Sequence, residues 1–461
     1  MAAAFFLGAL VSGCSLEPPQ AAAQRRQVQE AGRPYEAPFD ARKLPELPAQ
    51  PSWQDVLNRA LLASGDLEAA YFDWKAAVHA AQVAGAYPNN NAAFGYSYLF
   101  SREKAKSWDR NTLSAGFDPS TNLPLPFKIS AAAKVAFEAA QAKAKRFEAA
   151  KFELQKKVLT AYFDFALAAE KLRIQTENAK LLKMLADIAE QRVRGGAPQA
   201  DLLKAQTEYE LALNEQSNLA VELTSLRAGL NGLMLLPAGA PLAAPAELPP
   251  PRRIPAGDGD LIALAAGNNP DLAALAKEVA AAEQALALAR LGWLPEVNFQ
   301  VAITGSLSQL LSGAIMFPIN GEKIQAEINE AAAALRRAEA LQRQGKFDLG
   351  SRFLVTLLAL RNSERQAELF GKSIVPKAKQ SWDSATKSYA TAVTGFGFAE
   401  MLDSQRTLLS AQVLAAESRM AREKRLAELE ALLGLDVETL NPAPATQPAS
   451  APATQPAVSP N

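Results

Sequence analysis

The sequence predicts a mainly α fold of duplicated long antiparallel helical hairpins, with a pair of short strands inside each copy. Three observations predict it. The 461-residue chain is dominated by Ala and Leu with dispersed Glu, Lys, Arg and Gln, the composition of long helices. Ala131 to Arg194 contains neither Gly nor Pro, so one helix there would run roughly 95 Å. The whole pattern then recurs after about 200 residues. Ala200–Gln206 matches Ala399–Gln405. Asp66-Leu67 and Gly85-x-x-Pro88 match Asp271-Leu272 and Gly292-x-x-Pro295. Leu230-Asn231-Gly232-Leu233 matches Leu433-Gly434-Leu435. A unit of this length is a duplicated module, not a short solenoid repeat.

The elements follow in order. Ala2–Val11 is an apolar run, too short to span a bilayer and suited to a signal-peptide core. Val11-Ser12-Gly13-Cys14 resembles a bacterial lipobox, so residues 1–13 are expected to be a signal peptide and Cys14 a lipidation site. No Lys or Arg precedes the run, although signal peptides usually start with charge. Ser15, where aspartate would mark inner-membrane retention, favours the outer membrane by resemblance to lipoproteins. Cys14 is the only cysteine, which excludes an intramolecular disulfide. Residues 14–51 lack periodicity and are expected to form an extended tether that becomes ordered only by packing on something else.

The first repeat spans 52–236. Ser52 is a helix N-cap signal, and apolar residues at helical spacing continue to Ala86. Strands are expected at 92–101 and 111–118. In the first, Phe94, Tyr96, Tyr98 and Phe100 alternate strictly and share one face. The long helix 131–194 carries a seam of Phe147, Leu154, Val158, Tyr162, Phe165, Ile174, Leu181, Leu185 and Ile188. Gly195 and Gly196 end it, and Pro198 opens a helix over 198–230, making a tight tip.

Residues 237–257 are a proline-rich linker. The second repeat, 258–440, repeats the order. Its strands are expected at 297–305 and 310–317, with Val297, Phe299, Val301 and Ile303 on one face. A helical stretch over 322–394 contains Gly345, Gly350, Gly371 and Pro376 as candidate kinks or irregular turns. Gly395 and Gly397 form the second tip before a helix over 398–433. Residues 441–461 are a Pro/Ala-rich tail expected to be disordered.

Lys plus Arg and Asp plus Glu number 48 each, so charge gives no footprint for nucleic acid. No phosphate-binding glycine loop, metal-ligand cluster or catalytic constellation is visible, and the one histidine, His79, sits on an Ala-rich helix. No enzymatic activity, metal or cofactor is expected. The strands alternate as transmembrane barrel strands do, and half-buried surface hairpins alternate equally well. Their aromatic faces, set between helices too long for a compact core, favour the membrane. Four strands cannot close an aqueous barrel and lipid tolerates no open edge, so several chains must contribute to one barrel. Three would give twelve strands.

With these residues on the page, the chain resembles the TolC-like outer-membrane efflux factor family over about residues 50–440. The resemblance rests on Asn268-Asn269-Pro270-Asp271-Leu272, the Gly-x-x-Pro exits at Pro88 and Pro295, and Tyr389, Gly395, Glu400, Leu402, Asp403, Gln405, Arg406 and Leu408. It implies a homotrimeric α-helical barrel joined to a 12-stranded transmembrane β-barrel. Its partners would be a periplasmic adaptor protein, an inner-membrane pump and outer-membrane lipid. It implies that the tips Gly195, Gly196, Asp201, Gly395 and Gly397 meet the adaptor. Glu400 and Asp403 match a family pattern of acids that constricts the periplasmic entrance. They lie three apart, on one helix face, where the helix dipole also favours acids. The first repeat has Asp201 and Lys204 instead. Rival readings are a periplasmic adaptor lipoprotein and a structural coiled-coil lipoprotein. Neither explains two hairpins interrupted by aromatic strands.

Overall fold

The computed structural model describes residues 16–87, 92–100, 106–117, 124–306, 308–390 and 397–440. Its helices are α1 (Ala21–Gly32), α2 (Trp53–Ala63), α3 (Gly65–Ala84), α4 (Pro126–Arg194), α5 (Gln199–Leu233), α6 (Asp258–Asn268), α7 (Pro270–Arg290), α8 (Gly321–Leu369), α9 (Val375–Ala390) and α10 (Phe398–Leu433). Its strands are β1 (Ala92–Tyr98), β2 (Asn111–Phe117), β3 (Glu296–Thr304) and β4 (Ser308–Met316).

The duplication extends to helix breaks that the periodicity did not reveal. The expected helix from Ser52 to Ala86 is two helices, because Ser64 is extended with ψ 118°. Asn269 breaks the second copy at the matching place, with ψ 120°. There Pro270 pushes its predecessor out of the helical region. Ser52 caps α2: its N–H donates to Asp55 at 2.9 Å, and the Asp55 N–H donates to its hydroxyl at 3.3 Å. Gly345 and Gly350 lie inside uninterrupted α8 rather than at kinks. A Cβ on Gly345 would stand 2.7 Å from Leu275, so the glycine admits a side chain from α7. The real irregularity is a π-helical turn, Phe370–Ile374, which contains Gly371 and ends just before Pro376. Pro376 follows two residues after this turn, and a proline inside a continuous helical stretch, which lacks an N–H for the helix ladder, is a usual cause of such irregularity.

The chain divides into two compact units. The first comprises residues 1–43, 65–151 and 270–349. Part of the N-terminal segment expected to be extended is helical here, over Ala21–Gly32, and it is packed on the rest of the unit. Ala21, Val28 and Tyr35 are buried, and Val28 and Tyr35 join Tyr71, Trp74, Val78 and Ala140 in one cluster. Trp74 also stacks on Phe147 at 5.7 Å. Gly32 permits this docking, because a Cβ there would fall 1.9 Å from the Tyr71 hydroxyl. Arg42 closes the segment by pairing with Glu68 at 2.8 Å. α4 and α7 are tied by Arg146 to Glu278 at 2.8 Å and Lys277 to Glu138 at 3.1 Å.

This unit also holds a four-stranded antiparallel sheet of order β1-β2-β3-β4. The two repeats therefore meet in one sheet through the β2–β3 ladder. β1 and β2 start where expected, and the other strand ends are offset from expectation by one to three residues. β1 stops at Tyr98, so Phe100 lies beyond the strand that was to contain it. It still stacks edge-on against Tyr98 at 4.9 Å. Gly305 ends β3 with φ +48°, and a Cβ there would meet the Asp109 backbone at 2.5 Å. The Ser306 N–H donates to buried Asp109 at 2.9 Å, which locks the two hairpins together beyond the ladder.

The second unit comprises 44–64, 152–269 and 350–461. One core gathers Val56, Leu57, Leu159, Tyr162, Phe163, Leu230, Met234 and Met420. The proline-rich linker is pinned to this unit by Arg252. Its guanidinium donates to Glu423 at 3.1 Å and Glu430 at 2.9 Å, and lies 5.3 Å from the Trp53 ring. Both carboxylates are 1 % exposed. Glu430 also accepts the Val437 N–H at 3.2 Å, and Arg422 pairs with Glu423. Every polar group of this cluster is thereby partnered, which is what a buried charge requires.

Candidate functional site

The ladder registers decide what each face of the sheet presents. Directly opposed residues share a face. Phe94, Ala115, Val301 and Leu311 form one row; Tyr96, Leu113, Ile303 and, at its β4 end, Gln309 form the next; Val297 faces Ile315. The opposite face carries Gly95, Ser114, Ala302 and Leu310 in one row and Ser97, Thr112, Thr304 and Ser308 in another. There the Thr112 and Thr304 hydroxyls meet at 2.9 Å. One face is thus aromatic and branched, and the other small and mostly polar.

The apolar face is open: Phe94 is 81 % and Leu311 77 % exposed. Tyr96, Val301 and Ile303 are exposed as well, whereas Tyr98 and Val297 are half-buried. The Phe299 side chain lies outside the described residues, though its backbone pairs with Gly313. β1 and β4 are the outer strands, each paired on one side only among the described residues. Such a sheet can shed its edges in lipid only by joining further strands.

The tip lies in the second unit. α4 ends through Gly195 and Gly196, the latter at φ +99°, and the Ala197 N–H reaches back to the Arg192 carbonyl at 3.0 Å. Gly397 precedes α10; Gly395 lies outside the described residues, as does Cys14. A core of Leu182, Leu185, Ala205, Trp382, Tyr389, Phe398 and Met401 joins α4, α5, α9 and α10. Tyr389 is buried against Phe398 at 5.7 Å and beneath the Arg192 guanidinium at 4.2 Å.

The two gate candidates differ in their surroundings. Glu400 accepts the Gly397 N–H at 3.0 Å, so it caps the start of its own helix. Asp403 is exposed, and its carboxylate has no partner among the described residues. In the first repeat Asp201 is half-buried and Lys204 exposed.

Two features escaped sequence reasoning. One is the Arg192–Tyr389 stack. The other is a buried polar chain in which Gln405 donates to Asn178, Asn178 to Gln175 at 3.4 Å, and Gln175 to the Ala212 carbonyl at 3.0 Å. A signal existed for the second, since Asn178 occupies the seam between Ile174 and Leu181, where an apolar residue belongs. His79 contacts Gln82 at 2.8 Å on its own helix. Among the described residues no group of side chains could hold a metal, and no helix is long and apolar enough to cross a membrane.

A family model described as outer membrane efflux protein matches residues 56–234. A comparison with the curated proteins finds no match. Among solved structures, the chain is similar to the outer membrane protein VceC from Vibrio cholerae, at 17 % identity and a TM-score of 0.68 over 83 % of this chain and 96 % of that one. It is similar to the outer membrane channel MtrE of Neisseria gonorrhoeae in its open state, at 18 % identity and 0.67 over 84 % and 90 %. It is also similar to the CmeC outer membrane channel of Campylobacter jejuni, at 15 % identity and 0.66 over 83 % and 85 %. The outer membrane efflux protein family model thus matches the first repeat, and the fold of these solved structures extends over both repeats.

Proposed function

We infer that the chain is the outer-membrane channel of a tripartite efflux or secretion system, working as a homotrimer with a periplasmic adaptor and an inner-membrane pump. The single observation that carries this is the sheet, with one exposed apolar face, one polar face and two single-sided edge strands. Three copies joined β4 to β1 make twelve strands with no edge left, the polar face lining the bore. The second unit supports a ring. α5 exposes an uncharged stripe at three and four spacing, Leu203, Thr207, Leu211, Asn214, Asn218 and Val221. α8 exposes Leu354, Val355 and Leu358. Two different uncharged exposed faces on one chain, one mixed and one apolar, suit a head-to-tail contact, and such contacts close into rings where the rotation allows.

The family is one of channels rather than enzymes. We assign no catalysis to the chain, and the energy for transport falls to the pump. Acylation at Cys14 would hold the N-terminal segment to the same membrane. The test is outer-membrane fractionation followed by electrophoresis in detergent without boiling. The expected product is a heat-sensitive trimer in the outer-membrane fraction. A soluble monomer would defeat the channel assignment and favour the adaptor reading.

Glu400 and Asp403 are proposed as the acids of the periplasmic entrance. Three copies place six carboxylates near the axis, a negative field that favours cations. The local bonding divides the roles: Glu400 serves its helix cap and Asp403 is free to face permeating ions. In planar bilayers Asp403→Asn is expected to lower cation preference more than Glu400→Gln does. Unchanged selectivity in the double variant would remove both from the entrance.

A further inference from the structure

α10 begins with two faces of different kinds. Over residues 398–411 its buried face is Phe398, Met401, Leu402, Gln405, Leu408 and Ala411. Glu400, Asp403, Thr407 and Ser410 are exposed. Gln405 is the one polar residue on the buried face, at 4 % exposure. Two helix positions separate it from Asp403, a rotation of about 200°, so the two side chains leave the helix on nearly opposite sides. Whatever fixes Gln405 therefore fixes the direction of Asp403.

The apolar neighbours cannot do this alone. Their packing is non-directional, and an apolar seam accepts alternative registers that one buried amide excludes. Gln405 donates to Asn178 on α4, Asn178 to Gln175, and Gln175 to the Ala212 carbonyl on α5. One chain of amides thus ties α10 to both limbs of the α4–α5 hairpin. All three side chains are buried, and none has a buried polar atom without a partner. Other ties from α10 to this hairpin, Arg406 to Glu208, Lys171 to Glu417 and Lys424 to Asp164, are ion pairs partly open to solvent, which hold little.

The duplication sharpens the contrast. Gln206 stands in the first repeat where Gln405 stands in the second, and it is exposed. That copy carries Asp201 and Lys204 in place of Glu400 and Asp403. The copy with two acids is the copy whose glutamine is buried and bonded. We propose that the bond between Gln405 and Asn178 is a latch that fixes the rotation of α10 and so holds Asp403 toward the permeating ion. The inference rests on the entrance reading of Asp403. Gln405 and Asn178 act by positioning, since both are buried between helices. Turning α10 by one residue position, about 100°, would carry Asp403 off the lining and break the amide chain together.

The test is the reversal potential of the full-length trimer in planar bilayers under a salt gradient, which reads cation preference. Unboiled electrophoresis reads assembly of each variant. Gln405→Asn draws the amide back from Asn178 by one methylene, and cation preference is expected to fall most of the way to the Asp403→Asn value. Adding Asn178→Gln returns the methylene from the other side and is expected to restore the wild-type preference. Asn178→Leu with Gln405→Met replaces both amides by apolar groups of similar shape, a change that costs little stability. That trimer is expected to assemble and still show the low preference, which a merely structural role does not predict. Asp403→Asn added to Gln405→Asn is expected to cause no further fall. Wild-type preference in Gln405→Asn and in the apolar pair, with Asp403→Asn lowered, overturns the latch and leaves the entrance reading standing. Fully additive losses from Gln405→Asn and Asp403→Asn, or a loss that Asn178→Gln does not restore, overturn it as well. If Asp403→Asn itself keeps the wild-type preference, the entrance reading fails and the latch fails with it.

Discussion

An arginine at Leu311 is expected to abolish accumulation of the heat-sensitive assembly in the outer membrane. Leu311 lies near the middle of β4, on the apolar face, beside Val301. A cation at the midplane of a barrel's lipid face costs about 2–4 kcal/mol per site. Three copies carry the change at once, so the total exceeds much of the stability of an ordinary domain. Ser312→Arg, one residue along, turns the same charge toward the polar face. That variant should assemble and alter ion selectivity instead. Fractionation and unboiled electrophoresis read the first outcome, and single-channel currents read the second. Equal assembly of both variants would show that the sheet faces are not distinguished by lipid.

Arg252→Met is the second large effect. It leaves buried Glu423 paired with Arg422 and buried Glu430 with the Val437 N–H in place of its cation, and breaking a buried pair by removing one partner costs about 3–5 kcal/mol. The pH dependence has a definite sign. Burial raises the Glu430 pKa, and Arg252 pulls it back down. A carboxyl raised in the folded state favours folding when protonated, and that contribution is lost as pH rises through its folded pKa. Without Arg252 the rise is larger. The loss in melting temperature should therefore be greatest at neutral pH and shrink as pH falls toward the ordinary glutamate value of 4.5. Melts followed by helical circular dichroism check this. A loss of equal size at both ends of that range would show that the carboxylates stay charged without their partner.

What was legible in the sequence was whatever is decided locally. Ser52 with Asp55 specifies a cap within four residues, Gly195 and Gly196 specify a tip, and alternation of Phe94, Tyr96 and Tyr98 specifies a face. What was not legible depends on distant partners. Ala21–Gly32 has few apolar residues, and its docking depends on Tyr71 and Trp74 far along the chain. Arg252 stands in a linker that reads as solvated, yet its carboxylates are 171 and 178 residues away. Glu400 shows the opposite difficulty. Its spacing from Asp403 is local, but the spacing alone could not separate a helix cap from an entrance acid.

The two single-sided edge strands also have a genetic consequence. In the proposed ring each copy would offer β1 to one neighbour and β4 to the other, so a chain sound at one edge and spoiled at the other would still enter assemblies and leave them open. Intact channels should then fall as the cube of the fraction of sound chains. An allele damaged at only one edge would act dominantly over the wild type, whereas one damaged at both would drop out of assembly and act recessively.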